Sequence, residues 1–240
     1  MTIAYILAGG LGTRLRSVVS DVPKPMAPVC GQPFLKLLLN FWIKQGITKF
    51  IISVGFLKEK VISFFGKEYN GISIEYLEEN IPLGTGGGLI ILSKKLKEDF
   101  VVVNGDTFFD VSLLQLKELK RKKKAGIAMA LFENNEPDRY GQVIIDEISW
   151  IKDIKQSKYN LSNLSNGGVY LMDPEIISVY SHNFNQKCSL EKDILPYLIE
   201  KKNIVTGLKQ NGKFLDIGIP EDYLRANNFF KIDIVKKSIK

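Results

Sequence analysis

The 240-residue chain is 45% hydrophobic, enough for one well-packed domain, and no apolar run in it reaches membrane-helix length or follows the basic lead of a secretion signal. With only Cys30, Cys188 and His182 as thiols and imidazole, a disulfide framework, a multi-histidine metal site and histidine-based catalysis are excluded as organising chemistry. The net charge of +7 is dense in "KELKRKKKAG" and "KIDIVKKSIK", where no aromatic residue interleaves with the lysines, so these read as solvated helix faces and no nucleic-acid partner is expected. The expectation is a soluble, cytoplasmic protein without a membrane partner, its cysteines reduced and buried, whose chemistry rests on carboxylates, lysine, arginine and backbone.

In chain order, strands are expected at 3–7, 50–54, 72–76, 100–103 and 127–132, each a short apolar run. Between them "PFLKLLLNFWIKQG", "LKEKVISFFG" and "VSLLQLKELKRKKK" read as helices, the first two closed by glycine. Strands alternating with helices predict an α/β layer fold with a mainly parallel sheet. Beyond Tyr140 the pattern changes, because "GQVIIDEISWIKDI" and "GGVYLM" are strand-like with less helix between them; antiparallel or mixed strands are expected there. Later helices are expected in "SLEKDILPYLIEK", with Ser189 as N-cap, and in "PEDYLRANNFFKIDIVKKSIK", with Pro220 near its first turn. No repeat or linker requires a domain cut.

The first strand delivers Gly9, Gly10 and Gly12 to the carboxyl edge of the sheet, where ligands bind in open α/β folds. Glycine lets backbone N–H groups approach an anion. Leu15 stands where a dinucleotide fingerprint needs glycine, and no Gly-Lys-Ser/Thr follows, so neither familiar phosphate loop is met. Arg14 follows at once with a fork suited to phosphate, and Lys24 sits between Pro23 and Pro25 on restricted backbone. On one post-strand loop these features point to a triphosphate ligand. "FVVVNGD" then brings Asn104, Gly105 and Asp106 to the same edge, although Asn-Gly would also serve a simple reversal. Asp110 is read as a helix-start residue ahead of "VSLLQL".

In "EENIPLGTGGGLI", a loop followed by a glycine-weakened helix accounts poorly for Gly86 to Gly88, since consecutive glycines cost helix stability. A carboxylate here could accept both N1–H and the exocyclic amine of guanine, and Glu79, or Glu78 by a shift of one, is the candidate. Glu191 and Lys192 open a helix, where an ordinary charged face is the alternative reading.

"LAGGLGTRL" followed by "PKPMAPV", and then "PLGTGGGL", "VVNGDTFFD", "RYGQV", "NGGVY", "LEKDILP" and "FLDIGIPEDY", span nearly the whole chain and resemble the sugar-phosphate nucleotidyltransferases. Within that family the chain is most similar to guanylyltransferases acting on manno-configured sugars. The resemblance implies a single-domain, Rossmann-like three-layer sandwich of the GT-A-like kind, with a mixed, mostly parallel central sheet, a nucleotide half over about 1–110 and a sugar half over about 111–240. The implied activity is Mg2+-dependent transfer of GMP from GTP to a manno-type sugar 1-phosphate, foremost the D-glycero-α-D-manno-heptose 1-phosphate, releasing pyrophosphate and serving surface polysaccharide (capsule or lipopolysaccharide) synthesis. Mannose 1-phosphate or another sugar and base are alternatives within the class. A non-catalytic nucleotide-sugar sensor is the alternative from another class, disfavoured by Arg14, Lys24, Asp106, Lys192 and Asp216. A homo-oligomer is left open.

By the same resemblance Leu7, Ala8, Gly9, Gly10, Gly12, Thr13, Arg14 and Lys24 would hold the nucleotide. Arg14 and the loop amides would meet the β and γ phosphates and Lys24 the reacting phosphates, while Asp106 and Asp216 would share one Mg2+; Arg14, Lys24 and Asp106 are the expected catalytic residues. Glu79, Gly84 and Thr85 would border the base, with Gly84 approaching it closely. Asn104, Tyr140, Gly141, Asn166, Gly167 and Glu191 would contact the sugar and Lys192 its phosphate. One departure stands out: relatives usually carry Glu-Lys shortly before "NGG", whereas Gln156 and Ser157 stand there in this chain.

Overall fold

The structure is a computed structural model that describes residues 1–10, 12, 15, 18–19, 21–79, 81–134, 136, 139–155 and 161–237, with side chains to residue 231. β1 (Ile3–Leu7) is followed by a single 3-10 turn at Lys24–Met26, a small hairpin of β2 (Pro28–Val29) and β3 (Gln32–Pro33), α1 (Phe34–Lys44), β4 (Lys49–Val54), α2 (Lys58–Phe65), β5 (Glu68–Tyr69) and β6 (Ile72–Glu78). Next come α3 (Gly84–Ser93), β7 (Phe100–Asn104), β8 (Thr107–Phe109), α4 (Leu113–Lys123), β9 (Ile127–Glu133), β10 (Gln142–Ile145), β11 (Ile151–Lys155) and β12 (Leu164–Met172). α5 (Pro174–Tyr180), a π turn at Leu190–Ile194, α6 (Leu195–Glu200), β13 (Val205–Gln210), β14 (Phe214–Asp216) and α7 (Pro220–Lys237) complete it.

The main sheet runs in the order β11-β10-β12-β7-β1-β4-β6-β5, with β9 also paired to β12 and β13 to β9. β7, β1, β4 and β6 are mutually parallel, and β12 joins β7 antiparallel, so the switch expected beyond Tyr140 occurs at the centre of the sheet. Alternation along each central strand builds two cores. Ala4, Ile6, Phe50, Ile52, Val101 and Val103 face a layer made by α1, α2, α4 and α7, where Leu38, Trp42, Phe65, Leu116 and Phe230 are buried. Tyr5, Ile51, Phe100 and Val102 face α3, α5 and α6 through Leu89, Leu92, Ile177, Leu195 and Leu198. Burial of each large apolar side chain contributes about 1.5–3 kcal/mol, which is what holds three layers together.

Two local expectations are corrected. α4 is capped by Ser112, whose hydroxyl accepts the Gln115 N–H at 3.3 Å, while Asp110 is exposed and its N–H pairs with the Lys213 carbonyl at 3.0 Å. Serine is the better-placed acceptor because it directly precedes the first helical residue. Gly86, Gly87 and Gly88 lie inside α3. A Cβ on Gly87 would stand 2.3 Å from the Gln186 carbonyl and one on Gly88 2.3 Å from the Tyr5 hydroxyl, so close packing, not helix propensity, selects glycine. The cysteines are free, Cys188 buried and Cys30 half-buried.

Candidate active site

Parallel register sets Leu7 beside both Ser53 and Asn104, so the carboxyl ends of β1, β4 and β7 form one edge. There a cavity of about 240 Å³ is walled by Leu7, Gly9 and Gly10 on one side, by Ser53, Glu79, Pro82, Gly84 and Thr85 on another, and by Asn104 and Asp106. Gly9 must be bare, since its Cβ would lie 2.8 Å from Ser53 Oγ and 2.9 Å from Glu79 Oε1. A Cβ on Gly10 would meet none of the described residues within 4 Å. Gly12 has φ +59°, and a Cβ there would stand 3.0 Å from the Cβ of Lys24. Ala8 is buried behind the loop. Thr13 and Arg14 lie outside the described residues, as do Gln156 and Ser157.

Lys24, Asp106 and Asp216 meet. The Lys24 ammonium donates to Asp106 Oδ2, and the lysine side chain is nine-tenths buried. β14 pairs with β8 so that Asp216 faces Thr107, the residue after Asp106, and the Ile217 N–H donates to the Asp106 carbonyl at 3.0 Å. Asp216 Oδ1 accepts the Gly218 N–H at 2.6 Å. A Cβ on Gly218 would sit 2.6 Å from that same oxygen and 3.0 Å from Lys24 Nζ, which shows how closely lysine and the second aspartate converge. Among the described residues no cluster of three or more acids, histidines or cysteines surrounds a single point, so the site offers a pair of carboxylates rather than a closed cage. Hard carboxylate oxygens open to phosphate and water match what Mg2+ takes.

Glu79 and Glu78 are sorted by the pleat. Glu78 is exposed and pairs with Lys58 Nζ at 2.7 Å, whereas Glu79 lines the cavity. Glu79 Oε1 accepts from Ser53 Oγ and Oε2 accepts the Leu83 N–H at 2.9 Å. Ser53 was not singled out by sequence; its one signal is a hydroxyl at the end of the buried run "FIISV". Beneath it burial holds the Tyr5 phenol well above its ordinary range, with the nearby Ser53 hydroxyl drawing it down and the Glu79 charge pushing it up by less.

Gly84, at φ +73°, lines the cavity, but the contact that demands glycine is with protein: a Cβ would stand 2.4 Å from the Cys188 carbonyl. The Thr85 hydroxyl is likewise engaged internally, donating to Glu191 Oε2 at 2.7 Å and accepting the Leu190 N–H at 2.8 Å. Glu191 is half-buried and also accepts from Ser189 Oγ at 3.1 Å, while Lys192 is exposed in the π turn.

Asn104 Oδ1 is buried without a hydrogen-bond partner among the described residues. Its amide packs under a bulge in β12, where Gly168 has φ +69° and would place a Cβ 2.9 Å from Asn104 Nδ2. Asn166, before that bulge, spends its amide on Tyr170 at 2.6 Å and its Oδ1 on the Gly168 N–H at 3.0 Å, and a Cβ on Gly167 would collide with Phe109 at 2.4 Å. Both therefore shape the edge beside Asn104 and stand outside the cavity wall. Tyr140 sits in a neighbouring depression that also contains Asp216, its ring against Phe132 and Phe214; burial pushes its phenol up to about 12. Gly141 is half-buried just before β10. The preceding Arg139 ion-pairs with buried Asp222 in the first turn of α7, tying "RYG" to "PEDY".

Over residues 3–232 the sequence matches the nucleotidyl transferase family. It is 42% identical over 224 residues, 93% of this chain and 96% of the relative, to a D-glycero-alpha-D-manno-heptose 1-phosphate guanylyltransferase of Aneurinibacillus thermoaerophilus. A protein of the same name from Campylobacter jejuni is 40% identical, covering 92% of this chain and 96% of its own. Among solved structures, HddC from Yersinia pseudotuberculosis in complex with GMP-PN superposes with a TM-score of 0.81 at 33% identity, covering 96% of this chain and 100% of that one.

Proposed function

The chain belongs to the nucleotidyl transferase family, and from that premise we propose that it transfers GMP from GTP to D-glycero-α-D-manno-heptose 1-phosphate, releasing pyrophosphate and supplying GDP-heptose for surface polysaccharide. The observation that carries this reading is the meeting of Lys24, Asp106 and Asp216 beside a cavity whose opposite wall presents Glu79. Guanylyltransferase relatives above 40% identity, or at it, support the choice of base and sugar.

Two anions must approach for the sugar phosphate oxygen to reach the α-phosphorus, so the site has to cancel charge and hold geometry rather than supply a nucleophile. Among the described residues of the cavity wall the serine hydroxyl, that of Ser53, already donates to Glu79. Lys24 is the buried cation for the reacting phosphates, with the amides at Gly9, Gly10 and Gly12 and, on sequence pattern, Arg14 for the β and γ phosphates. Asp106 and Asp216 would hold a divalent cation, Mg2+ by donor chemistry, which when bound supplies charge neutralisation at the α-phosphate and the leaving group. Glu79 has one inner lone pair of each oxygen committed to Ser53 and Leu83, leaving its outward lone pairs for guanine N1–H and the exocyclic amine. Asn104, Tyr140, Gly141 and Glu191 would border the sugar and Lys192 its phosphate, with Asn166 and Gly167 shaping the edge beside Asn104. A cytoplasmic setting follows from the nucleoside triphosphate substrate, and among the described residues no helix is long and apolar enough to cross a membrane.

The test is pyrophosphate release from a matrix of the four nucleoside triphosphates with several hexose and heptose 1-phosphates in Mg2+. GTP with the manno-heptose should give the highest kcat/KM. Greater turnover with another base or sugar, or none at all, would overturn the assignment.

A further inference from the structure

A ladder of hydrogen bonds joins Glu79, in the cavity wall, to Glu191, which lies behind the wall residue Thr85. Glu79 Oε2 accepts the Leu83 N–H at 2.9 Å. The Leu83 carbonyl accepts the Cys188 N–H at 3.1 Å, and the Cys188 carbonyl accepts the Gly86 N–H at 2.9 Å. The Thr85 hydroxyl then accepts the Leu190 N–H at 2.8 Å and donates to Glu191 Oε2 at 2.7 Å. Glycines let the two segments touch: a Cβ on Gly84 or Gly86 would meet the Cys188 carbonyl at 2.4 or 3.1 Å. Segments 83–87 and 186–191 are thus clamped at backbone contact, and a shift of one must be taken up by the other.

Within this clamp the two glutamates differ in how they are held. Glu79 is fixed by a backbone N–H and by Ser53. Glu191 takes hydroxyl donors at a single oxygen, Oε2, from Thr85 and Ser189, and Ser189 belongs to its own turn. The Thr85 hydroxyl is therefore the side chain that crosses from the base loop to the sugar-side turn.

We infer that Thr85 is a positioning residue that couples the two substrate subsites, so that nucleotide engaging Glu79 orders Glu191 for the sugar phosphate and each ligand tightens the other. The inference rests on the proposed reading of Glu79 as the base contact and Glu191 as the sugar contact. Linkage makes the effect reciprocal: whatever factor nucleotide adds to sugar-phosphate affinity, sugar phosphate adds to nucleotide affinity.

Calorimetric titration of the manno-heptose 1-phosphate into the full chain in Mg2+, with and without a GTP analogue carrying a methylene bridge between α and β phosphorus, measures that factor. For the native chain the sugar phosphate should bind at least about 5-fold tighter with the analogue present. Thr85→Val, which keeps the shape and loses the hydroxyl, should bring the ratio to about 1, and Thr85→Ser, which restores the hydroxyl, should recover it. A general loss of stability would lower both affinities and leave their ratio intact, so the ratio isolates coupling from folding. An unchanged ratio in Thr85→Val, or a native ratio of 1, would overturn the inference while leaving the proposed function standing. Failure of the native chain to bind the GTP analogue at all would overturn the proposed function and this inference with it.

Discussion

Lys24 and Asp106 form an ion pair in which the lysine side chain is 9% exposed and the aspartate 35%, and Asp216, at the end of β14, lies so near that a Cβ on Gly218 would touch both its Oδ1 and that ammonium. A buried cation paired with one carboxylate of the cavity wall, with a second carboxylate close by, is where the proposed function puts the balancing of phosphate charge. Asp106→Asn keeps the shape and removes one negative charge. Turnover should fall on the order of 10³-fold, about 4 kcal/mol of barrier, with Asp216→Asn in the same direction. Pyrophosphate release at saturating substrates measures it, and near-normal rates in either variant would remove the pair from the chemistry.

Glu79→Gln exchanges an acceptor-only group for an amide that presents a donor to one of the two guanine donors. Hydrogen bonds to a charged group are worth about 1.5–3 kcal/mol, so kcat/KM for GTP should drop about 10- to 150-fold with little change for ATP. Ser53→Ala should lower it about 5-fold, because a neutral positioning bond contributes about 1 kcal/mol. Competition kinetics with paired nucleotides read both. Intact GTP preference in Glu79→Gln would assign base recognition elsewhere.

Gly168→Ala and Gly10→Ala separate packing from binding. At Gly168, φ is +69° and the new Cβ would lie 2.8 Å from Thr107 Oγ1 and 2.9 Å from Asn104 Nδ2. The strain should cost about 1–3 kcal/mol, lowering Tm by about 2–4 °C for each kcal/mol. At Gly10 the Cβ meets none of the described residues, so Tm should stay within about 2 °C of the native value while KM for GTP rises, because on the proposed function the methyl would intrude on the phosphates. Thermal unfolding and initial rates distinguish the two. Equal destabilisation would show that the loop packs differently.

Tyr140 bears on alkaline stability. Its phenol is pushed from an ordinary 10.0 to about 12, by burial first and then by the Asp216 and Glu136 charges, against the opposing effect of Arg139. Because the folded chain binds this proton more tightly than the unfolded one, stability is full below pH 10 and is lost as pH rises through about 12. Tyr140→Phe should flatten part of that decline. Urea unfolding between pH 9 and pH 11 checks it, and a slope identical to the native chain would mean that Tyr140 titrates freely.

The strands were legible because their apolar runs are short, β-branched and bounded by polar turns, and β1, β4 and β9 begin and end within a residue of expectation. The glycines after β1 were legible because a glycine cluster closing an apolar strand is a local signature of a tight turn at the sheet edge. Convergence of Asp106 and Asp216 was not, since nothing near either residue encodes the β8–β14 pairing that unites them; only resemblance to a family pointed there. Gly86 to Gly88 misled because propensity speaks of an isolated helix, and the reason for glycine lies in Gln186, Cys188 and Tyr5, far along the chain. Ser53 passed unnoticed because a small hydroxyl in an apolar strand is ordinary until its partner, Glu79, is seen beside it.

The β2–β3 hairpin, just past Lys24, is fastened to α7: the Tyr223 hydroxyl donates to the Pro28 carbonyl at 2.7 Å and Asn227 Oδ1 accepts the Cys30 N–H at 2.7 Å. Asp216 reaches Asp106 only when β14 docks, immediately ahead of the same helix. In the order of synthesis the glycine loop and Asp106 come long before Asp216, so the two carboxylates can meet only after β14 has been made. Until that later strand docks, the folding chain carries Asp106 without Asp216 beside it, so the carboxylate pair is a property of the finished fold and of no single segment.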